Sequence, residues 1–165
     1  MSKSLARVRA ALQAAGLDSV PLEMPGETRT AEDAAAAAGC ALDQIVKSVV
    51  FQGGTSGRLF LFLTAGGNKV DTSIAATLAG EPLARADVAT VRAVTGFAIG
   101  GVAPIGHLTP LPVWIDPTLL TFATVWAAAG TPRHIFPVDP ARLQKAAGAT
   151  SAAFTVTENS SLPMG

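Results

Sequence analysis

Apolar and polar positions fall into short blocks along this chain, each with a recognisable start and stop. Leu5, Val8, Leu12 and Ala15 recur at helical spacing, which predicts a first helix over residues 5–15, capped by Ser4 and stopped at Gly16. The apolar run Val20–Met24 ahead of Pro25-Gly26 predicts a short strand. Thr30-Ala-Glu-Asp33 has the form of a capping box with Asp in place of Glu, and it opens an alanine-rich helix that Gly39 ends. Residues 45–52 and 59–64 are the strongest strand candidates. The glycine-rich stretch 53–57 between them predicts a hairpin with a long loop. Asp71 caps a predicted short helix to Ala79, with Gly80 as its stop, and a second short helix runs over residues 87–94 before Thr95-Gly96.

The middle of the chain is broken by Gly96, Gly100, Gly101, Pro104, Gly106, Pro110 and Pro112. Beyond it, residues 113–115, 121–127 and 134–137 read as short strands, although Ala127–Ala129 suits a helix as well. A helix over 139–147 with Leu143 inward, a strand over 153–156 and a loose tail over 158–165 complete the pattern. Helices and strands alternate irregularly, with no repeat and no linker. The expectation is an α+β fold in a single domain over residues 1–157.

Composition narrows the possibilities. In 165 residues, 49% are hydrophobic and 15% charged, which excludes a disordered chain and is enough to bury a sizeable core. Mean hydropathy is +0.40, but alanine carries most of it, and stretches such as Leu59–Leu63 are too short to cross a bilayer. Lys3, Arg7 and Arg9 are not followed by the apolar run of a signal peptide. One cysteine excludes an internal disulfide framework and fits a reducing compartment, so a cytoplasmic protein without membrane contact is expected. Twelve basic residues balance twelve acidic ones, and a net charge of +0 argues against bulk electrostatic binding to DNA or to the body of an RNA.

Among candidate chemical groups, Lys47 is the most informative. In an extended run it shares a face with Ile45, Val49 and Phe51. An ammonium among three apolar side chains must reach water at the strand edge, pair with Asp43 or Asp71, or stand at a cleft as a cation for a phosphate or carbonyl. Gly100-Gly-Val-Ala-Pro-Ile-Gly106 is the second candidate: an ordinary turn, or a rigid loop whose N–H groups cradle an oxyanion. It has neither the spacing of a P-loop nor that of a dinucleotide fingerprint. His107 and His134 are the only histidines, and with Cys40 alone they give no metal-ligand spacing, so no metal and no cofactor are expected. Cys40 reads as a small buried side chain and Trp114 and Trp126 as core. Asp116 with some serine leaves a Ser–His–Asp arrangement open by count, without a nucleophile elbow.

Three segments in order carry a resemblance: residues 42–51 around Lys47, Leu63-Thr-Ala-Gly-Gly-Asn-Lys-Val-Asp71, and Gly96-Phe-Ala-Ile-Gly-Gly-Val-Ala-Pro-Ile-Gly106. Together they resemble the YbaK/prolyl-tRNA-synthetase-associated domain family of aminoacyl-tRNA deacylases, over about residues 20–156. The resemblance implies a curved, barrel-like mixed sheet with flanking helices. It also implies hydrolysis of the ester joining a wrong amino acid to the 3′ end of tRNA. Lys47 would then hold the terminal adenosine and its phosphate, and the loop of Gly100, Gly101 and Pro104 would line the reacting centre. Ile45 and Asp71, which stand in the same motifs, become substrate-side candidates. His107 follows the loop as in some members, and His134 stands about thirty residues past Pro104, where some alanine-editing members carry a functional histidine.

Mischarged tRNA is the implied partner, with an aminoacyl-tRNA synthetase as a second. A neutral chain would touch only the 3′ terminus, through Lys47 and neighbours such as Arg133, Lys69 or the basic first helix. Two further readings stand beside this one: a non-catalytic module binding a tRNA end, a nucleotide or a partner protein, and a hydrolase of some other small ester or amide.

Overall fold

The two strongest strands of the pattern do pair as a hairpin, and the rest of the molecule is arranged around them. In the computed structural model, which describes residues 2–157, β2 (Ile45–Gly53) runs antiparallel to β3 (Leu59–Ala65), from Val46 opposite Ala65 to Gln52 opposite Leu59. Every residue of β3 is buried because both faces are covered. Leu59, Leu61, Leu63 and Ala65 join the main core, while Phe60 and Phe62 join a second cluster with Val70, Ala75 and Phe154.

The other strands are β1 (Leu22–Glu23), β4 (Asn68–Val70), β5 (Leu83–Arg85), β6 (Val113–Ile115), β7 (Val125–Ala128), β8 (His134–Val138), β9 (Thr150–Ser151) and β10 (Thr155–Thr157). An eight-stranded mixed sheet runs β1-β8-β7-β2-β3-β6-β9, with β5 also pairing β2, and β10 pairs with β4. The helices among the described residues are α1 (Lys3–Ala14), α2 (Ala31–Ala38), α3 (Thr72–Ala79), α4 (Val88–Thr95) and α5 (Pro140–Ala147). This is the single-domain mixed α+β architecture that the pattern predicts. No helix among the described residues is long and apolar enough to cross a membrane.

Capping chemistry explains most of the helix boundaries. Thr30, Asp71, Asp87 and Asp139 each accept a backbone N–H of the first turn, and Gly39, Gly80, Gly96 and Gly148 end those helices in the left-handed conformation. The first helix departs from expectation. Ser2, not Ser4, is its cap, accepting the Leu5 N–H at 3.0 Å. Ser4 instead lies in the first turn and donates to the Gly96 carbonyl, which Arg7 also reaches.

The strand expected over 121–127 begins only at Val125, because Asp116 caps a 3-10 turn over Pro117–Thr121. The last strand starts at Thr155 rather than at 153, and only Leu22–Glu23 of the run before Pro25 pairs. The tail expected over 158–165 lies outside the described residues.

One feature of the sheet positions the site. Along one edge, β2 pairs with β3 over its length; along the other, β7 pairs in parallel at Ile45 and Val46, and β5 pairs antiparallel at Phe51–Gly53. Neither reaches residues 47–50, so the sheet has a gap in the middle of its longest strand.

Candidate functional site

A cleft of about 320 Å³ opens at that gap. Ile45, Val46, Lys47 and Ser48 of β2 form one wall and Trp126–Ala128 of β7 another. Thr28–Ala31 at the start of α2 and the loop residues Ile99, Gly100 and Val102 close it. A second compartment of about 200 Å³ adjoins it, sharing Ser48, Ile99, Gly100 and Val102 and adding Val50, Arg85, Ala86 and Val91.

Backbone alternation decides what the gap presents. The Gly53 N–H donates to the Arg58 carbonyl at 2.8 Å, so odd-numbered residues of β2 bond towards β3. The Gly54 N–H donates to the Pro82 carbonyl at 2.7 Å, so even-numbered residues face the opposite edge. The N–H and C=O of Ser48 therefore point into the gap, where no strand among the described residues meets them.

Lys47 is half-buried at the cleft, and its ammonium donates to the main-chain carbonyl of Asn68. That carbonyl is rigidly placed. The Asn68 side chain donates to Asp116 Oδ2 at 2.8 Å and to Thr118 Oγ1 at 3.2 Å, and Asp116 also accepts the N–H groups of Ala65 and Thr118. Asp43, one of the two carboxylates considered as partners for Lys47, accepts the Gly67 N–H at 2.8 Å. Asp71 accepts the N–H groups of Ser73 and Ile74 as the cap of α3.

The glycine loop is shaped by backbone needs. Gly100 has φ +93°, which favours glycine, and a Cβ there would come within 3.8 Å of Arg29. Gly101 is buried, and a Cβ on it would stand 3.2 Å from the backbone of Thr131. The loop therefore packs flat on the β7–β8 turn. Thr131 in that turn lies 2.6 Å, Oγ1 to Nδ1, from His134, whose Nε2 lies 3.9 Å from Glu23.

Of the residues singled out from sequence, the cleft brings together Ile45, Lys47 and Gly100. Gly101 and His134 stand behind it, on either side of Thr131. Pro104 is buried and His107 lies beyond it, with Nε2 2.7 Å from the Ala103 carbonyl and the ring edge-on to Phe97. Burial pushes the His107 pKa down, against the opposing pull of that hydrogen bond. Neither histidine pairs with Asp116, so no Ser–His–Asp arrangement forms. Cys40 packs beside the Ala31–Ala35–Ile45 cluster, where burial pushes its thiol pKa up, away from nucleophilic thiolate.

Trp126 is not core as expected. Alternation in β7 turns Val125 and Ala127 inward and leaves Trp126 only partly buried, against Ala31, Ala34 and Ile45 at the cleft. Trp114 is also only partly buried, stacked on Phe62 at 4.9 Å. Arg29, Ser48 and Trp126 are among the cleft residues that sequence reasoning missed. Strand alternation sets Ser48 on the face opposite Lys47, and nothing local pointed to any of the three.

This architecture has close counterparts. A protein solved as a proposed trans-editing enzyme for prolyl tRNA synthetase is 46% identical, with a TM-score of 0.88 over 94% of this chain and 99% of that one. Hypothetical protein APE2540 is 27% identical, with a TM-score of 0.83 over 91% of this chain and 99% of its own. Uncharacterized protein YwhH of Bacillus subtilis (strain 168) is 30% identical over 123 residues, 74% of this chain and 78% of that protein. The profile of the aminoacyl-tRNA editing domain matches residues 25–146, a span that contains the gap in β2, Lys47, the glycine loop and the β7–β8 turn. The chain belongs to the aminoacyl-tRNA editing domain family.

Proposed function

We propose that this protein is a deacylase that hydrolyses the ester of mischarged tRNA. The observation that carries the reading is the meeting of Lys47 and Gly100 at one cleft in a chain of the editing family. An aminoacyl ester is already activated, and the ribose hydroxyl beside it can relay a proton. The protein then needs to hold the ester, offer donors to the developing oxyanion and admit one water. In this reading Lys47 holds the terminal nucleotide, kept in place by the Asn68 carbonyl until substrate arrives. Backbone groups of the Gly100–Pro104 loop line the reacting ester, and Gly101 and His134 set the loop's position through Thr131.

The similarity to a proposed trans-editing enzyme for prolyl tRNA synthetase puts tRNA for proline first among substrates, and that synthetase first among protein partners. Editing is needed where a synthetic pocket must separate side chains that differ by a methylene, a difference of only about 1–3 kcal/mol. A panel of mischarged tRNAs incubated with the purified protein tests the reading. Release of amino acid from at least one of them is expected. No release from any at micromolar protein would sink it, and tRNA binding without release would make the chain a binding module instead.

A further inference from the structure

Ser48 is chemically out of place in the wall where it stands. Its side chain shares a face of β2 with Val46 and Val50, both turned to the main core, and alanine would fit the position. Among the described residues its Oγ is the one buried side-chain oxygen or nitrogen without a hydrogen-bond partner. A sealed, unmatched hydroxyl costs stability and contributes nothing to the free protein. Yet Ser48 lines both compartments, beneath the Ile99–Val102 loop, and its own N–H and C=O point into the gap between β7 and β5.

The remaining cleft residues indicate what such a hydroxyl would bind. Lys47, Arg85 and Arg29, whose Nε pairs with Glu27 outside the lining, supply donors to phosphate or carbonyl oxygens, but among the described residues neither compartment is lined by an aspartate or glutamate. An α-amino group entering with the amino acid must therefore be met by neutral oxygens. The Thr30 hydroxyl is already occupied by the Asp33 N–H, and the Thr28 hydroxyl donates to the Pro132 carbonyl. Among the described residues of the cleft, Ser48 alone brings an unengaged hydroxyl together with a carbonyl oxygen directed to the same gap.

We propose that Ser48 binds the α-amino group of the esterified amino acid and so positions the ester for hydrolysis. This rests on the editing reading and assigns a substrate contact within it. The structure of the free protein then holds an unmatched hydroxyl because its partner arrives with the substrate.

The test uses the mischarged tRNA that the wild-type chain cleaves fastest, and the same tRNA with its amino acid N-acetylated. Wild type is expected to prefer the free amine by about tenfold or more in kcat/KM, the size of one hydrogen bond to a charged group. Ser48→Ala should lose that preference by slowing on the free amine alone, with a melting temperature equal to or above that of wild type. A merely structural serine would give the opposite sign of stability change. A wild type indifferent to acetylation, a Ser48→Ala variant that keeps the preference, or one that melts several degrees lower would each overturn the assignment. A wild type that releases nothing from any mischarged tRNA fails at the earlier step, and that overturns the editing reading together with this one.

Discussion

Removing the Asp116 carboxylate should cost more than any other single side-chain truncation near the cleft. It is 1% exposed and accepts three hydrogen bonds: Ala65 N–H at 3.1 Å, Asn68 Nδ2 at 2.8 Å and Thr118 N–H at 2.9 Å. Two of those donors are fully buried and the third partly so. Asp116→Ala leaves the Ala65 and Thr118 N–H groups without an acceptor and Asn68 Nδ2 with Thr118 Oγ1 alone, at about 1–3 kcal/mol for each buried hydrogen left unmatched, less for one that water can reach. The expected loss is roughly 3–5 kcal/mol, a large share of the 5–15 kcal/mol that stabilises an ordinary domain. For a chain of this size that lowers Tm by about 6–20 °C.

Asp116→Asn is the sharper variant. Its amide oxygen can serve Ala65 and Asn68, but its NH2 group then faces the Thr118 N–H, so one donor conflicts and the loss should be about 1–2 kcal/mol. Equilibrium denaturation in urea or guanidinium of wild type and both variants measures the series. Because the Asn68 carbonyl holds Lys47, deacylation by Asp116→Ala should fall by more than its folded fraction explains. An Ala variant within about 1 kcal/mol of wild type, or an Asn variant as damaged as Ala, would refute the reasoning.

Other outcomes follow from the same geometry. Lys47→Ala should lower kcat/KM by roughly 10- to 100-fold through loss of a charge-assisted contact while changing unfolding free energy by less than about 1 kcal/mol; full deacylation by the variant would remove Lys47 from the site. His134→Ala should alter the rate or the amino-acid preference by loosening Thr131 beneath the glycine loop, and an unchanged profile across the tRNA panel would return His134 to a structural role. His107 is held below its ordinary value of 6.5 by burial, so the unfolded chain takes up its proton first as pH falls. Its contribution to stability is complete above about pH 6.5 and declines below it, and His107→Gln should lose less stability than wild type between pH 7.5 and 5; parallel losses would refute this. With a net charge of +0, tRNA affinity should fall only shallowly with salt, whereas a slope of many ions would reveal an extended phosphate contact.

What the sequence makes legible depends on the range over which each element is specified. Four of the helices are written locally, as an Asp or Thr cap and a glycine stop enclosing eight residues each, and their boundaries hold almost to the residue. The β2–β3 hairpin is legible for the same reason. Strands β4, β5 and β9 are two or three residues long and carry no readable period; they exist because partners from elsewhere in the chain lie beside them. The site divides in the same way. Lys47 and Gly100 stand out as a cation in an apolar strand and a glycine in a proline-rich loop. Trp126 reaches the cleft only through the parallel pairing of Ile45 with Trp126, across eighty residues of sequence, and Arg29 only because α2 starts over that pair.

The gap in β2 also bears on solubility. An unpaired strand edge is a template for another chain's strand, and long open edges lead to aggregation. Here the opening spans residues 47–50, about 13 Å of strand, and is stopped at one end by β7 and at the other by β5. Those two strands run in opposite senses relative to β2, so an incoming segment cannot continue the ladder of one into the other. Main-chain groups thus stay uncovered in the middle of a sheet, while an approaching polypeptide finds too short a stretch to extend.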